Sequence, residues 1–283
     1  MFAAQQQHLL PIRRVQERRS AGYLSRATEF RNKIIHLPAN RMAVAAPTCD
    51  QPIHLASRRE ELFAAFSLVY RAYLKTGLVR PNPFQMRVTP YHLLPSTDVI
   101  VAKATDRNEV ACTLSLVGDG KLGLPIESAF ADEVAERRRR GVQLAEVTSL
   151  AEQRDENEGG SSPLLKAMGL MAQRAKRRGI DELLITVHPH HVKFYQRFIG
   201  FELLGDERPY ESVLDKPAVA LSLDLNLLHV NHPRAYERFF GKPFSAAALA
   251  DQTLPINVRT ELRRIVAVCN ATMHQSEAIS KAA

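Results

Sequence analysis

A glutamate stands at position 146 in the stretch LAEVTSLAEQ, residues 144 to 153. Strand-like alternation puts Val142, Leu144, Glu146, Thr148 and Leu150 on one face, so a carboxylate points where apolar side chains point. Burial raises a carboxyl pKa towards the range where a general base is useful. A plainer reading makes Glu146 a carboxylate hydrogen-bonded to a neighbouring strand or to an arginine. Two guanidinium groups, Arg80 and Arg87, lie in LVRPNPFQMRVTPYHLLPS. A guanidinium fork fits the two oxygens of a ligand carboxylate, and it equally fits a salt bridge that holds a loop. His188, His190 and His191 share the segment VHPHH without a companion cysteine or a Glu-x-x-His pair, so no metal site is expected. His188 either lines the end of a strand or caps its turn.

These residues need a scaffold, and the pattern around them predicts one. Strands and helices alternate from about Ile53, the signature of a mixed α/β layer fold. SRREELFAAFSLVYRAYLKTG predicts a helix capped by Ser57, with Leu62, Phe66, Val69 and Tyr73 on its inner stripe and Gly77 at its end. The proline-containing segment after it reads as a long ordered loop, a place where function is often found. DVIVAKA and VACTLSLV predict a hairpin. SAFADEVAERRRRG predicts a helix capped by Ser128 and stopped by Gly141, with Glu133 to Arg137 and Glu136 to Arg140 paired at i,i+4 spacing. The strand carrying Glu146 follows, then a polar loop. The next helix has Ser162 at its cap, Pro163 at its first position, Gly179 at its end and Leu164, Met168, Met171 and Ala175 as its buried stripe. ELLITV, a helix through HHVKFYQRFIG that buries Phe194, Phe198 and Ile199, the return strand FELLG and a closing strand AVALSLDL complete the core.

The whole chain narrows the class. Its 283 residues, 45% of them hydrophobic, suffice for a sizeable core, and no apolar run reaches the roughly 18 to 20 residues of a membrane helix. Cys49, Cys112 and Cys269 are too few and scattered for a disulfide frame, and the N-terminus lacks a secretory pattern, so a reduced, cytoplasmic protein is expected. Net charge is +8, and residues 1–45 hold eight basic side chains against Glu17 and Glu29. This arm sets only Tyr23 and Phe30 among its basic residues, and no nucleic-acid-binding motif follows it. A solvated, partly disordered arm (1–52), a catalytic-size core (53–228) and a mainly helical extension (229–283) are the expected divisions. Arg137, Arg138, Arg139 and Arg140 form either a solvated helix face or a docking patch for an acidic partner.

The order strand, helix, strand, short helix, GF, strand is similar to the acyl-transferring domains of the GNAT superfamily. YLKTGLVRPNPFQMRVTPYHLLPSTDV, CTLSLVGDGKLGLPIE, LAEVTSLAEQR, LLITVHPHHVKFYQRFIGFE and DKPAVALSLDL together resemble the bacterial long-chain N-acyl amino acid synthases, relatives of the acyl-homoserine lactone synthases. The resemblance covers about residues 55 to 225. It implies an α/β (α+β) fold with a mixed central sheet flanked by helices. It also implies transfer of a long-chain acyl group from acyl carrier protein to the amine of an amino acid, with no tightly bound cofactor and acyl-phosphopantetheine as co-substrate. The alternatives are a coenzyme A dependent acetyltransferase and a non-catalytic module that binds acyl carriers.

What the resemblance implies for residues is specific. Glu146 matches the family's glutamate and is expected to be the base. Backbone N–H groups near Thr148, Ser149 and Leu150 are expected to polarise the thioester carbonyl. Tyr195 is the expected acid for the leaving sulfur, although YQRFIGF is one residue longer than the superfamily's Y-x-x-x-G-F. The loop RDENEGGSSP departs from the usual pyrophosphate-binding pattern, but Gly159, Gly160, Ser161 and Ser162 offer donors for the single phosphate of a phosphopantetheine. Ser149 stands where homoserine lactone synthases carry the arginine of E-x-S-R, which argues against S-adenosylmethionine as acceptor. Arg80, Arg87 and His188 are the expected acceptor contacts, and Arg137 to Arg140 the expected carrier contacts.

Overall fold

The computed structural model describes residues 36–38, 53–104, 109–154 and 163–282, with side chains omitted at 36–38, 154 and 270–282. Eight strands form one mixed sheet. They are β1 (His36–Pro38), β2 (Ile53–Leu55), β3 (Thr97–Lys103), β4 (Val110–Gly118), β5 (Leu144–Arg154), β6 (Glu182–Val187), β7 (Glu202–Tyr210) and β8 (Lys216–Asp224). The main order is β2-β3-β4-β5-β6-β8-β7. AVALSLDL was expected to close the sheet, but β8 lies between β6 and β7, leaving β7 as the edge. The burial patterns agree: six consecutive residues of β8 are buried, whereas β7 is largely exposed, as an edge strand must be.

Among the described residues five helices longer than one turn flank the sheet: α1 (Arg59–Lys75), α2 (Glu127–Arg139), α3 (Pro163–Arg177), α4 (Pro233–Phe240) and α5 (Ile256–Ala282). Strand parity shows which face each covers. Val99 and Val101 of β3 pack with Leu62, Phe66 and Val69 of α1, while Asp98, on the opposite face, pairs with Arg174 of α3. Val117 of β4 packs with Phe130 and Val134 of α2. Thus α1 and α2 share one face and α3 covers the other. The stripe Leu164, Met168, Met171 and Ala175 is buried as its spacing predicts. Val258, Leu262 and Ile265 of α5 join the α1 cluster, and Arg59 clamps Glu261 with Nε to Oε2 at 2.7 Å.

Helix starts depart from expectation. Arg58, not Ser57, is the first cap, and no side chain closes it. Ser128 lies inside α2, which starts at Glu127, and its Oγ donates to the Pro125 carbonyl instead. The helix ends are as expected: Gly77, Gly141 and Gly179 take φ of +68°, +76° and +74°, the left-handed region glycine enters at least cost. HHVKFYQRFIG is not one α-helix. It is a 3-10 turn, a single α-turn at Val192–Phe194 and a π-helical turn at Tyr195–Ile199, and of Phe194, Phe198 and Ile199 only Ile199 is fully buried.

The feature that builds a site is the parting of β5 from β6. Their parallel pairing runs through Leu144, Ala145 and Glu146 and stops there. Just beyond Thr148 β5 carries an extra residue. Thr113 faces Ala151 while Ser115 faces Thr148, so Leu114 opposes both Ser149 and Leu150. Ser149 takes φ +53° in this bulge. A bulge bends its strand, and here the bend follows directly on the last β5–β6 pair. Farther along, β1 pairs parallel with Glu152–Arg154. Because β4 still holds the other edge at Glu152, β1 lies on the edge that β6 has left.

Candidate active site

Glu146 faces the α1/α2 side of the sheet, since it is the cross-strand partner of Val117. It has no exposed surface. Its Oε2 accepts a 2.6 Å hydrogen bond from the Ile126 N–H at the start of α2, one of the donors a helix terminus leaves unused. Oε1 is buried and has no hydrogen-bond partner among the described residues. Burial pushes the carboxyl up to about 8, the Ile126 N–H and the Arg87 charge pull it back, and the nearby Glu127 charge adds to the rise. The result is a carboxyl that titrates near neutrality with one oxygen ready for a donor.

Arg87 comes to the site from the loop between α1 and β3. Its backbone N–H donates to the Phe66 carbonyl of α1 at 3.1 Å, which ties the loop to the helix. Its guanidinium donates from Nη1 to Ser149 Oγ at 3.2 Å and from Nη2 to the Ser212 carbonyl at 3.3 Å, and lies 4.9 Å from the centre of the Tyr73 ring. So the loop brings an arginine to Ser149. Arg80 is exposed and has no hydrogen bond or ion pair among the described residues, so of the two arginines expected to contact the acceptor only Arg87 lies beside Ser149.

Tyrosines surround this pair. Tyr73, half-buried, has its pKa raised by burial, lowered by Arg87, raised by Glu146 and lowered by a hydrogen bond from the Leu150 backbone N–H. Tyr91 and Tyr210 are likewise raised, first by burial and then by the charge of Glu146. Beneath the loop, His92 is buried: Nδ1 accepts the Thr89 N–H at 3.0 Å, Nε2 lies 3.2 Å from Ser115 Oγ, and the ring packs edge-on to Phe66. Burial and the Arg87 charge push its pKa down to about 3, so it stays neutral. Tyr73 reads in sequence as the last member of a core stripe, and nothing in the sequence marks Ser212, which acts through its backbone. His92 was legible only as a polar residue in a loop of hydrophobic and proline residues.

Tyr195 lies on the π-helical turn. That turn takes up the extra residue of YQRFIGF: the N–H groups of Gly200 and Phe201 both return to the Tyr195 carbonyl, at 3.0 and 3.2 Å, and Gly200 ends the turn at φ +91°. Its ring stacks edge-on against Phe201, and its hydroxyl has no partner among the described residues. Burial, with a contribution from Tyr73, raises its pKa, so it meets any leaving group as a protonated phenol.

The remaining candidates fall elsewhere. His188 caps its turn by accepting the His190 N–H at 3.3 Å and is only partly buried; burial and His190 lower its pKa. Among the described residues no cluster of histidine, cysteine or carboxylate groups has the makings of a metal site. Gly159, Gly160, Ser161 and Ser162 lie outside the described residues. The first N–H of α3 that follows them is already taken in part: Leu164 N–H donates to Glu152 Oε1 at 3.2 Å. The arginine run is paired internally rather than at the expected spacing. Arg137 holds Glu182, Arg138 holds Asp119 and Glu127, and Arg139 holds Glu136, while Glu133 turns to Arg208. Arg140 makes no ion pair among the described residues.

The family model of the N-acyl amino acid synthase FeeM matches residues 64–224, more than half of the chain, and spans α1 through β8. The chain belongs to the FeeM family of N-acyl amino acid synthases. It is thus an N-acyltransferase. The solved structure of FeeM, an N-acyl amino acid synthase from uncultured soil microbes, is 27% identical over 64% of this chain and 93% of its own, with a TM-score of 0.56. A coenzyme A dependent acyl-homoserine lactone synthase, BjaI, shares the fold at 18% identity, over 75% of this chain and 99% of its own, with a TM-score of 0.50. No curated protein matches the chain. The mixed sheet with flanking helices is the α/β architecture that the sequence resemblance implied. Among the described residues no helix is long and apolar enough to cross a membrane.

Proposed function

We propose that this chain moves a long-chain acyl group from the thioester of acyl carrier protein to the amine of an amino acid, by direct attack and with Glu146 as the base. The observation that carries the reading is Glu146 itself: fully buried, with Oε1 unpartnered among the described residues and a guanidinium nearby, so that burial pushes its pKa up to about 8. An amino acid brings an ammonium and a carboxylate. The ammonium supplies the counter-charge that Oε1 lacks, and Arg87, with two of its five N–H donors engaged by protein, supplies a fork for the carboxylate.

In the transfer, Glu146 takes a proton from the ammonium, and the freed nitrogen lone pair attacks the thioester carbon. The carbonyl oxygen gathers charge as the tetrahedral centre forms, and the backbone N–H groups of Thr148, Ser149 and Leu150 are the proposed donors to it. The C–S bond then breaks, and the nitrogen's second proton passes to the departing sulfur by way of the Tyr195 hydroxyl, the proposed acid, so that the thiolate leaves as a thiol. His188 and Arg80 are left with no proposed part beyond the acceptor's approach. The donor phosphate is assigned to Gly159 through Ser162. For the carrier, an acidic protein, the net charge of +8 supports electrostatic steering; within the run Arg137 to Arg140, only Arg140 is free of internal pairs among the described residues.

The test supplies purified protein with long-chain acyl carrier protein, and separately with long-chain acyl-coenzyme A, plus all common amino acids, and weighs the products. The expected result is a mass equal to the acyl chain plus one amino acid from the carrier donor. Product from coenzyme A alone would replace the carrier in this reading, and no product from either would overturn it.

A further inference from the structure

Among the described residues four that are not glycine adopt positive φ: Gln85 at +51°, Ser149 at +53°, Leu214 at +59° and Asp215 at +56°. They come from three distant parts of the chain: one lies beside Arg87 in sequence, and the other two, at Ser149 and just after Ser212, border the contacts of its guanidinium. Gln85 is two residues before Arg87. Ser149 accepts from Arg87 Nη1, and Leu214 and Asp215 follow Ser212, whose carbonyl accepts from Nη2. Each of these positions carries a conformation that glycine enters more cheaply, yet none is glycine.

The two flanking turns are braced by their own hydrogen bonds. Asn82 Oδ1 accepts the Phe84 N–H at 3.1 Å, its Nδ2 donates to the Met86 carbonyl at 3.0 Å, and the Gln85 N–H returns to the Asn82 carbonyl at 3.2 Å. Leu214 and Asp215 N–H groups return to Glu211 and Tyr210 carbonyls, each at 3.0 Å. At Ser149 the side chain itself makes the distinctive contact. A glycine there would keep the bulge and release the strain, but it would lose the hydroxyl that fixes the guanidinium.

We infer that Ser149 is a positioning residue for the acceptor: its left-handed backbone aims Oγ at Nη1 of Arg87, while the Ser212 carbonyl, just ahead of the Leu214–Asp215 turn, holds Nη2 of the same guanidinium. The inference rests on the reading that Arg87 receives the acceptor carboxylate. It extends the role of Ser149 from its backbone to its side chain. A guanidinium fixed before the substrate arrives loses less freedom on binding, so the effect belongs to acceptor affinity.

The test uses the full-length chain with the acyl donor and each common amino acid supplied singly. It compares native protein with Ser149→Gly, Ser149→Asn and Arg87→Gln. Ser149→Gly is expected to raise the acceptor KM by about tenfold or more, with a smaller change in kcat, an unchanged donor KM and a Tm no lower than native. Ser149→Asn, which tolerates the left-handed region and offers an amide oxygen to Arg87, is expected to restore most of the acceptor affinity. An unchanged acceptor KM in Ser149→Gly, while Arg87→Gln raises it, would overturn the positioning role alone. A lowered Tm without rescue by Asn would reduce Ser149 to a structural part and overturn it too. If Arg87→Gln leaves the acceptor KM unchanged, or the native chain forms no product, the reading beneath it fails.

Discussion

Glu61 and Glu146 are both buried carboxylates, 5% and 0% exposed, and they end on opposite sides of the ordinary range. Burial raises both. At Glu61, near the start of α1, the Arg58 guanidinium, the Lys103 ammonium at 2.8 Å and His54 at 3.1 Å outweigh it and bring the pKa down to about 2. At Glu146 a single backbone N–H and a more distant Arg87 do not, and the pKa rises to about 8. The lesson is that burial alone does not make a site. A carboxylate whose counter-charges are built in is a structural pin; one left short of them is held ready for a charge brought by a ligand.

That contrast is easiest to break at Glu61. Glu61→Leu leaves the Lys103 ammonium, itself 6% exposed, without its partner and is expected to cost about 3 to 5 kcal/mol of stability in denaturant titration. Adding Lys103→Met to it should recover most of that loss, and the acceptor KM should not move in either variant. Equal destabilisation by single and double variants would mean that the pair is not what Glu61 contributes.

The two groups should also give pH dependences of opposite sign. The Glu61 contribution is present above its unfolded value near 4.5 and is lost as pH falls through about 2. Glu146 has a raised pKa, so it favours the fold fully below about 4.5 and loses that favour as pH rises through about 8. Glu146→Gln is therefore expected to match native stability near pH 4.5 and to exceed it at pH 9 by up to a few kcal/mol, since each pH unit between the unfolded and folded values is worth about 1.4 kcal/mol. Melting curves across that range check it, and a gap independent of pH would place the Glu146 pKa elsewhere.

Much of the scaffold was legible because it depends on short-range chemistry. Glycines at 77, 141 and 179 and proline at 163 mark helix limits by their own backbone preferences, and the stripe of α3 marks its buried face. Ser57 and Ser128 misled because capping depends on where the chain enters the helix, a matter of tertiary packing. The insertion of β8 inside β7 is likewise long-range. At the site, Glu146 was visible as a charge in an apolar alternation. Tyr73 was hidden because a tyrosine that ends a core stripe has the spacing of core, and Ser212 was hidden because a carbonyl is the same in every residue. The extra residue in YQRFIGF is visible in the sequence, but the π-turn that takes it up is not.

The central claim is that Glu146 is the base, and the pH dependence of kcat/KM in native protein and in Glu146→Gln tests it most directly. The native chain should show activity rising roughly tenfold per pH unit to a bend at about 8. Glu146→Gln should lose that bend and about 10² to 10⁴-fold of the rate while still binding the acyl donor. An unaltered bend, or near-native turnover without the carboxylate, would contradict the account.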